Sequence, residues 1–185
     1  MYRINKRNQD KIDTLLKQNQ KIFHTQDLAL LWQINNKNTL YTTIKRYVHK
    51  GILLRIHKGF YSTIPTEQLD PVMLGISYLH TYAYLSTESV LVQSGIIFQG
   101  SNYITLVSSQ SKKFTLGSHN YLVRQLKDEY LFQSAGLIKE DNIAKATVER
   151  AVADILYFNP RYFFDARKLI DWEQVKKLQQ IIGYL

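Results

Sequence analysis

The 185-residue chain has no cysteine, so it has neither disulfides nor thiolate metal ligands. With three prolines and eight glycines it has too little of either for a collagen-like or low-complexity chain. It lacks long apolar runs: the longest stretches, such as Val72 to Leu79, are far shorter than the roughly 20 residues of a membrane span. The N-terminal MYRINKRNQDKIDTLL carries basic residues with no apolar segment behind them and does not read as a secretory signal. No membrane partner is expected, and the cytoplasm is the default compartment. Also missing are a glycine-rich phosphate loop and a histidine cluster at metal spacing. Ser86 and Ser89 have no identifiable base, and His80 and His119 are isolated. A nuclease site from Asp128, Glu129, Glu149 and Asp154 is the remaining enzymatic possibility. Glu149 and Asp154, five apart, fall on different helix faces. No catalytic residue, metal or cofactor is therefore expected.

What the chain does have is positive charge, unevenly placed. The net charge is +9, from 24 Lys and Arg against 15 acidic residues. Residues 1–62 hold twelve Lys and Arg against three acids, whereas residues 63–185 hold twelve of each. The whole excess lies in the first third. Segregation of this kind is an electrostatic footprint for a polyanion, most commonly nucleic acid.

The polar, basic residues 1–8 read as loose. Ile12, Leu15 and Leu16 mark a first helix over Asp10–Gln20, with Ile22 and Phe23 following. Thr25 offers an N-cap to a second helix carrying Leu28, Leu31, Trp32 and Ile34, with Asp27 favourably placed in its first turn. Asn35-Asn36-Lys37-Asn38 reads as a turn, and Asn38 as the N-cap of a third helix over Thr39–Lys50. At about 100° per residue, Leu40, Ile44, Tyr47 and Val48 share one side of that helix. Thr42, Lys45, Arg46 and His49 occupy the other, with Tyr41 and Lys50 on the flanks. Tyr41 and Tyr47 are expected to be half-buried. Gly51 stands where a C′ glycine ends a helix. Ile52, Leu54 and Ile56 alternate with Leu53, Arg55 and His57, a strand pattern that turns at Lys58-Gly59 and returns through Phe60-Tyr61.

Three helices and a basic two-stranded hairpin are the order of a winged helix-turn-helix. In such a unit the reading helix enters the major groove with its N-terminal half near base edges. The expected DNA contacts on or near that helix are Lys37, Asn38, Thr39, Tyr41, Thr42, Lys45, Arg46 and His49. Lys45 or Arg46 suits guanine, and Asn38 suits adenine if it does not cap the helix. His57 and Lys58 at the hairpin tip reach phosphate or the minor groove, and Lys21, Thr25 and Arg55 would position the domain on phosphates.

The stretch KIFHTQDLALLWQINNKNTLYTTIKRYVHKGILLRIHKGFYS resembles the N-terminal winged helix of AbiEi-type antitoxins of type IV toxin–antitoxin systems. The matching residues are Phe23, Asp27-Leu28-Ala29, Leu40, Ile44, Gly51-Ile52-Leu53, Arg55, Lys58-Gly59 and Tyr61. Further on, Tyr84 to Leu91 with Gly95-Ile96, and Ala146 to Ala151 with Asp154, are similar to segments of that family's second domain. The resemblance implies a repressor that binds its own promoter as double-stranded DNA, with a second domain that counters a nucleotidyltransferase-type toxin. A stand-alone winged-helix regulator and a protein-interaction module without a toxin partner are the alternatives.

Thr63 to Pro71 reads as a linker, holding two of the three prolines. The expected organisation is a winged helix over 1–62, a linker over 63–71 and an α+β domain over 72–185. In the last, Pro71 opens an apolar helix, and Ser86 caps a short one that stops at Gly95. Strands are expected over Tyr103–Val107, Lys113–Leu116, Tyr121–Leu126 and Tyr130–Phe132, with a turn at Gly100-Ser101-Asn102, in a small antiparallel sheet. A helix from Asp141 to about Phe158, with Ala144, Val148, Ala151, Val152 and Ile155 inward, precedes two short helices capped by Asp165 and Asp171.

Overall fold

The computed structural model describes residues 6–100, 102–140 and 142–184. Of the expected loose segment 1–8, residues 1–5 lie outside the described residues, as do Ser101 of the expected turn and Asp141 as a helix start; residues 6–8 are helical, not loose. The chain divides into two compact units, Met1–Asp70 and Pro71–Leu185.

In the first unit, α1 (Lys6–Leu16) begins and ends about four residues earlier than its apolar spacing suggests. Ile12 and Leu15 face inward, but Leu16 is exposed. Ile22 and Phe23, which follow that helix, are both buried and belong to a strand, β1 (Ile22–His24). Next comes α2 (Thr25–Leu31), whose N-cap is His24; the Asp27 carboxylate accepts the His24 backbone N–H at 2.7 Å. Gln33 takes a left-handed φ of 51° and redirects the chain. Then α3 (Lys37–His49) is followed by β2 (Leu54–His57) and β3 (Phe60–Ser62). The strands form an antiparallel sheet of order β1-β3-β2, so the expected two-stranded hairpin is the larger part of a three-stranded sheet. Fully buried β3 is its centre.

The core is built from Leu15, Phe23, Leu28, Trp32, Leu40, Ile44, Tyr47, Leu53 and Tyr61. Trp32 links its layers: the indole N–H donates to the Lys11 carbonyl at 3.2 Å, and the ring meets Tyr47 edge-on at 5.2 Å. Leu53 is fully buried and does not point outward with Arg55, because it closes the turn leaving α3 and precedes the strand.

In the second unit, Pro71 opens α4 (Pro71–Leu79), as its missing N–H allows at a first helical position. There follow β4 (Ala83–Leu85), α5 (Glu88–Gln93), β5 (Tyr103–Ser108), β6 (Lys112–Leu116) and β7 (His119–Gln125). After these come α6 (Asp128–Leu131), β8 (Leu137–Glu140), β9 (Ile143–Ala146), α7 (Val148–Phe158) and α8 (Trp172–Ile182). The sheet has six strands in the order β6-β7-β5-β4-β9-β8. It is mixed: β5 runs parallel to β7 and β4 parallel to β9, the other pairs being antiparallel. The small antiparallel sheet of the sequence reading is corrected on two points: two of its own strands, β5 and β7, run parallel, and β4, β9 and β8 extend it beyond β5.

Tyr130–Phe132, expected as a strand, lies at the end of α6, whose first turn carries Asp128 and Glu129 where the helix dipole favours them. Ala144 is in β9, and α7 starts only after Thr147, whose hydroxyl accepts the Arg150 N–H at 3.2 Å. Thr87, not Ser86, is the residue before α5, and Gly95 ends that helix at φ +67°. Asp171 caps α8 by accepting the Gln174 N–H at 3.0 Å, as its position suggests. Asp165 instead accepts the Phe98 N–H at 2.8 Å, and the 3-10 turn Arg167–Leu169 is preceded by Ala166.

Gly75 shows how closely α4 approaches the sheet. A Cβ there would lie 2.3 Å from Tyr121 Cε1. Tyr121 cannot yield: it stacks on Phe114 at 4.8 Å and donates its hydroxyl to the Pro71 carbonyl at 2.8 Å. Gly75→Ala is expected to destabilise the protein by about 1–3 kcal/mol through overpacking, read as a lower midpoint of chemical unfolding.

Candidate functional site

The outer face of α3 is set by how the helix is started, stopped and packed. Its N-cap is Asn36, whose side-chain oxygen accepts the Thr39 N–H at 3.0 Å. That corrects the expected cap at Asn38, which instead is the second residue of the helix, with an exposed side chain. Asn36→Ala is expected to cost about 0.5–2 kcal/mol, measured by equilibrium unfolding. At the other end Gly51, at φ +70°, donates its N–H to Val48 O at 3.0 Å while Ile52 donates to Tyr47 O at 2.9 Å. This is a Schellman closure, for which glycine is favoured because a Cβ is strained at positive φ. Leu40, Ile44 and Tyr47 are buried, as the wheel indicates. Thr43 joins them, its hydroxyl donating back to Thr39 O at 2.8 Å.

The opposite face is left to solvent. Lys37, Asn38, Thr39, Tyr41, Thr42, Lys45, Arg46 and His49 are all exposed, and the helix carries no acidic residue. Tyr41 is 55% exposed rather than half-buried, and Tyr47 is fully buried. The Arg46 guanidinium lies 5.5 Å from the Tyr47 ring centroid. Burial pushes the Tyr47 phenol above its ordinary value, and Arg46 works against that shift. Arg46 is therefore partly engaged within the helix while remaining exposed, as Lys45 also is.

At the hairpin, Arg55 and His57 are exposed while Leu54 and Ile56 are half-buried. The register slips between Arg55, opposite Tyr61, and His57, opposite Phe60, so Ile56 is the extra residue of a β-bulge. Lys58 is exposed at the turn. Gly59, at φ +76°, accepts the Thr25 N–H at 3.0 Å, and the Thr25 hydroxyl also points at its carbonyl, at 3.3 Å. Thr25 thus fastens the hairpin turn to the start of α2. It neither caps that helix nor offers a free hydroxyl to a phosphate. Lys21 is exposed, and its carbonyl accepts the Thr63 N–H at 3.0 Å.

The second unit holds a different constellation, missed in the sequence. Arg150 and Asp154, one turn apart on α7, are completely buried and paired at 2.8 Å. Asp154 also accepts hydroxyls from Ser86 at 2.7 Å, Tyr84 at 3.0 Å and Tyr184 at 2.6 Å. Arg150 donates to the Gln133 and Ala135 carbonyls, both at 2.9 Å, and to Tyr84 at 2.9 Å. The signal was available: Arg and Asp at i, i+4 on a helix otherwise apolar on that face. The carboxylate is saturated by four donors, so Asp154 is committed to holding β4, α7 and the C-terminal Tyr184 together.

Burial, followed by the Asp154 charge, raises the Tyr84 and Tyr184 phenols far above their ordinary value of 10.0. For Arg150, burial opposes the charge, but Asp154 and the phenols outweigh it and hold the guanidinium charged. The folded state thus keeps protons that the unfolded chain releases at about pH 10. The phenols' contribution is complete below that pH and is lost as pH rises above it. Unfolding midpoints are expected to fall between pH 10 and 11.5, less so in a Tyr184→Phe variant.

Among the described residues there is no group of three or more His, Asp or Glu that could hold a metal ion. Nor is any described helix long and apolar enough to cross a membrane. No family model matches the sequence, and no curated protein matches it. Among solved structures the chain is similar to the RV2827C protein from Mycobacterium tuberculosis, with a TM-score of 0.57 at 14% identity over 97% of this chain and 73% of that one. At that identity the likeness speaks for the shared mixed α+β fold alone.

Proposed function

We propose that residues 1–62 form a winged helix-turn-helix that binds double-stranded DNA, and that the chain represses its own operon as the antitoxin of an AbiEi-like pair. The observation that carries the DNA half is the outer face of α3: eight exposed polar or cationic side chains, none acidic, on a helix of 13 residues. Such a helix is about 20 Å long and fits a major groove. On this reading Asn38, Thr42 and Lys45 face base edges, Lys37 and His49 flank the backbone, and Arg55, His57 and Lys58 follow an adjacent phosphate run. Arg46, packed on Tyr47, suits a phosphate better than a bidentate guanine contact.

Support for the antitoxin half comes from the resemblance over residues 84–96 and 146–154. These segments supply Tyr84, Ser86, Arg150 and Asp154, so the resemblance falls on residues that build the second unit's interior. A mobility-shift assay with the chain's own upstream region tests the first half. Co-expression with the product of the neighbouring gene, scored for rescue of growth, tests the second. If deletion of residues 1–62 abolishes operator binding while rescue persists, the two activities are separable. If no rescue is seen with any neighbouring nucleotidyltransferase, the antitoxin assignment falls and the regulator remains.

A further inference from the structure

The second unit exposes apolar side chains where two loops meet. Phe98 is 72% exposed, Phe163 78% and Leu169 70%. The two loops are tied to each other: Phe98 N–H donates to the Asp165 carboxylate at 2.8 Å, and Ala166 N–H to the Ile96 carbonyl at 3.0 Å. Beside Phe98 lies a cleft of about 690 Å³ lined by Phe163 to Leu169 and Trp172. Its wall is stiff, because the Trp172 indole N–H donates to the Arg167 carbonyl at 3.1 Å and the Arg167 guanidinium lies 4.7 Å from the indole ring. Phe98 is not part of the lining. The face thus presents an aromatic knob next to a hole large enough for one.

The segment that builds it is balanced in charge. Within residues 161–173, Arg161, Arg167 and Lys168 stand against Asp165, Asp171 and Glu173, all six exposed. A predominantly basic rim would call for an acidic partner; a balanced one can meet its own image without net repulsion. A two-fold contact requires this, since the same patch faces itself and residue i meets j while j meets i. The three apolar side chains expose roughly 400 Å², taking about 150–250 Å² for a whole aromatic side chain. That is about half of the roughly 800 Å² per partner of a standard interface, and the charged residues supply a rim of the usual kind.

We infer that this face is a self-association surface: two copies of the chain pair about a two-fold axis, with Phe98 of each seated in the other's 163–172 cleft. The inference does not depend on DNA binding. Sedimentation equilibrium of the full chain from 1 to 200 µM tests it, together with Phe98→Asp and Phe163→Asp variants. The wild type is expected to sediment as a dimer in the upper part of this range. Each variant is expected to shift the dissociation constant at least tenfold toward monomer, with unchanged circular dichroism and with a melting midpoint that matches wild type at concentrations where both are monomeric. A wild-type monomer throughout the range overturns the inference, including the case in which the face serves a different protein. So does a dimer that both substitutions leave intact. Should either variant lose its fold, Lys168→Asp, which changes an exposed charge lining the cleft, replaces it; an unchanged dimer constant in that variant counts against the two-fold contact.

Discussion

Asp154→Ala is expected to destabilise the protein by about 3–5 kcal/mol, a large share of the 5–15 kcal/mol that holds a typical chain folded. The substitution leaves the Arg150 guanidinium, with no exposed surface, without its counter-charge. It also strips the acceptor from the hydroxyls of Ser86 and Tyr84, both fully buried. Each such orphan costs about 1–3 kcal/mol. Arg150→Met is expected to be similarly damaging, because it leaves a buried carboxylate supported only by hydroxyls. Replacing both, as in Arg150→Met with Asp154→Ala, should restore part of the loss and no more. The charge problem vanishes, but Tyr84, Ser86 and Tyr184 still lack their acceptor. Urea unfolding of the four proteins gives the cycle. If the single variants stay within 1 kcal/mol of wild type, the network is not what holds the second unit together.

The double variant Lys45→Ala, Arg46→Ala is expected to weaken binding to an operator duplex by at least tenfold, with up to about 3 kcal/mol lost for each side chain that pairs well with a base. The two residues are predicted to differ. Lys45 loss should weaken specific sites more than random duplex. Arg46, whose guanidinium leans on Tyr47, should weaken both alike and flatten the salt dependence by about one unit. Tyr47 is buried and packs on Trp32, so Arg46→Ala also removes a cover from that ring. Melting of the unliganded variant must therefore be measured alongside. Fluorescence anisotropy with cognate and scrambled duplexes separates these effects. Unchanged affinity in the double variant removes α3 from the interface.

The stripe of Leu40, Ile44 and Tyr47 and the stop at Gly51 were legible because a 13-residue helix repeats its pattern several times and ends on a residue with distinct backbone freedom. The cap was harder. Four polar residues precede Thr39, three of them Asn, and only the backbone path from Gln33 decides that Asn36 takes the Thr39 N–H. Strands β1 and β4 have three residues each, too few for a period of two to register, and both are defined by partners far along the chain. The alanines of β9 mimic a helix start, and the true start is marked only by the Thr147 cap. Arg150 and Asp154 were hidden for a different reason. Charged residues read as surface residues by default, and burial of such a pair depends on Tyr84, Ser86 and Tyr184 arriving from distant segments. The exposed face of α3 could be drawn from the wheel, whereas the role of Thr25 in pinning Gly59 could not.

The most direct test of the central proposal is the affinity of the intact protein for a duplex carrying its own upstream region, followed from 50 to 200 mM salt. If the exposed cations of α3 and the hairpin meet six or more phosphates, the association constant falls by about a thousandfold or more across that range, and a scrambled duplex binds more weakly at every point. Binding that is absent, or that does not change with salt, contradicts the account.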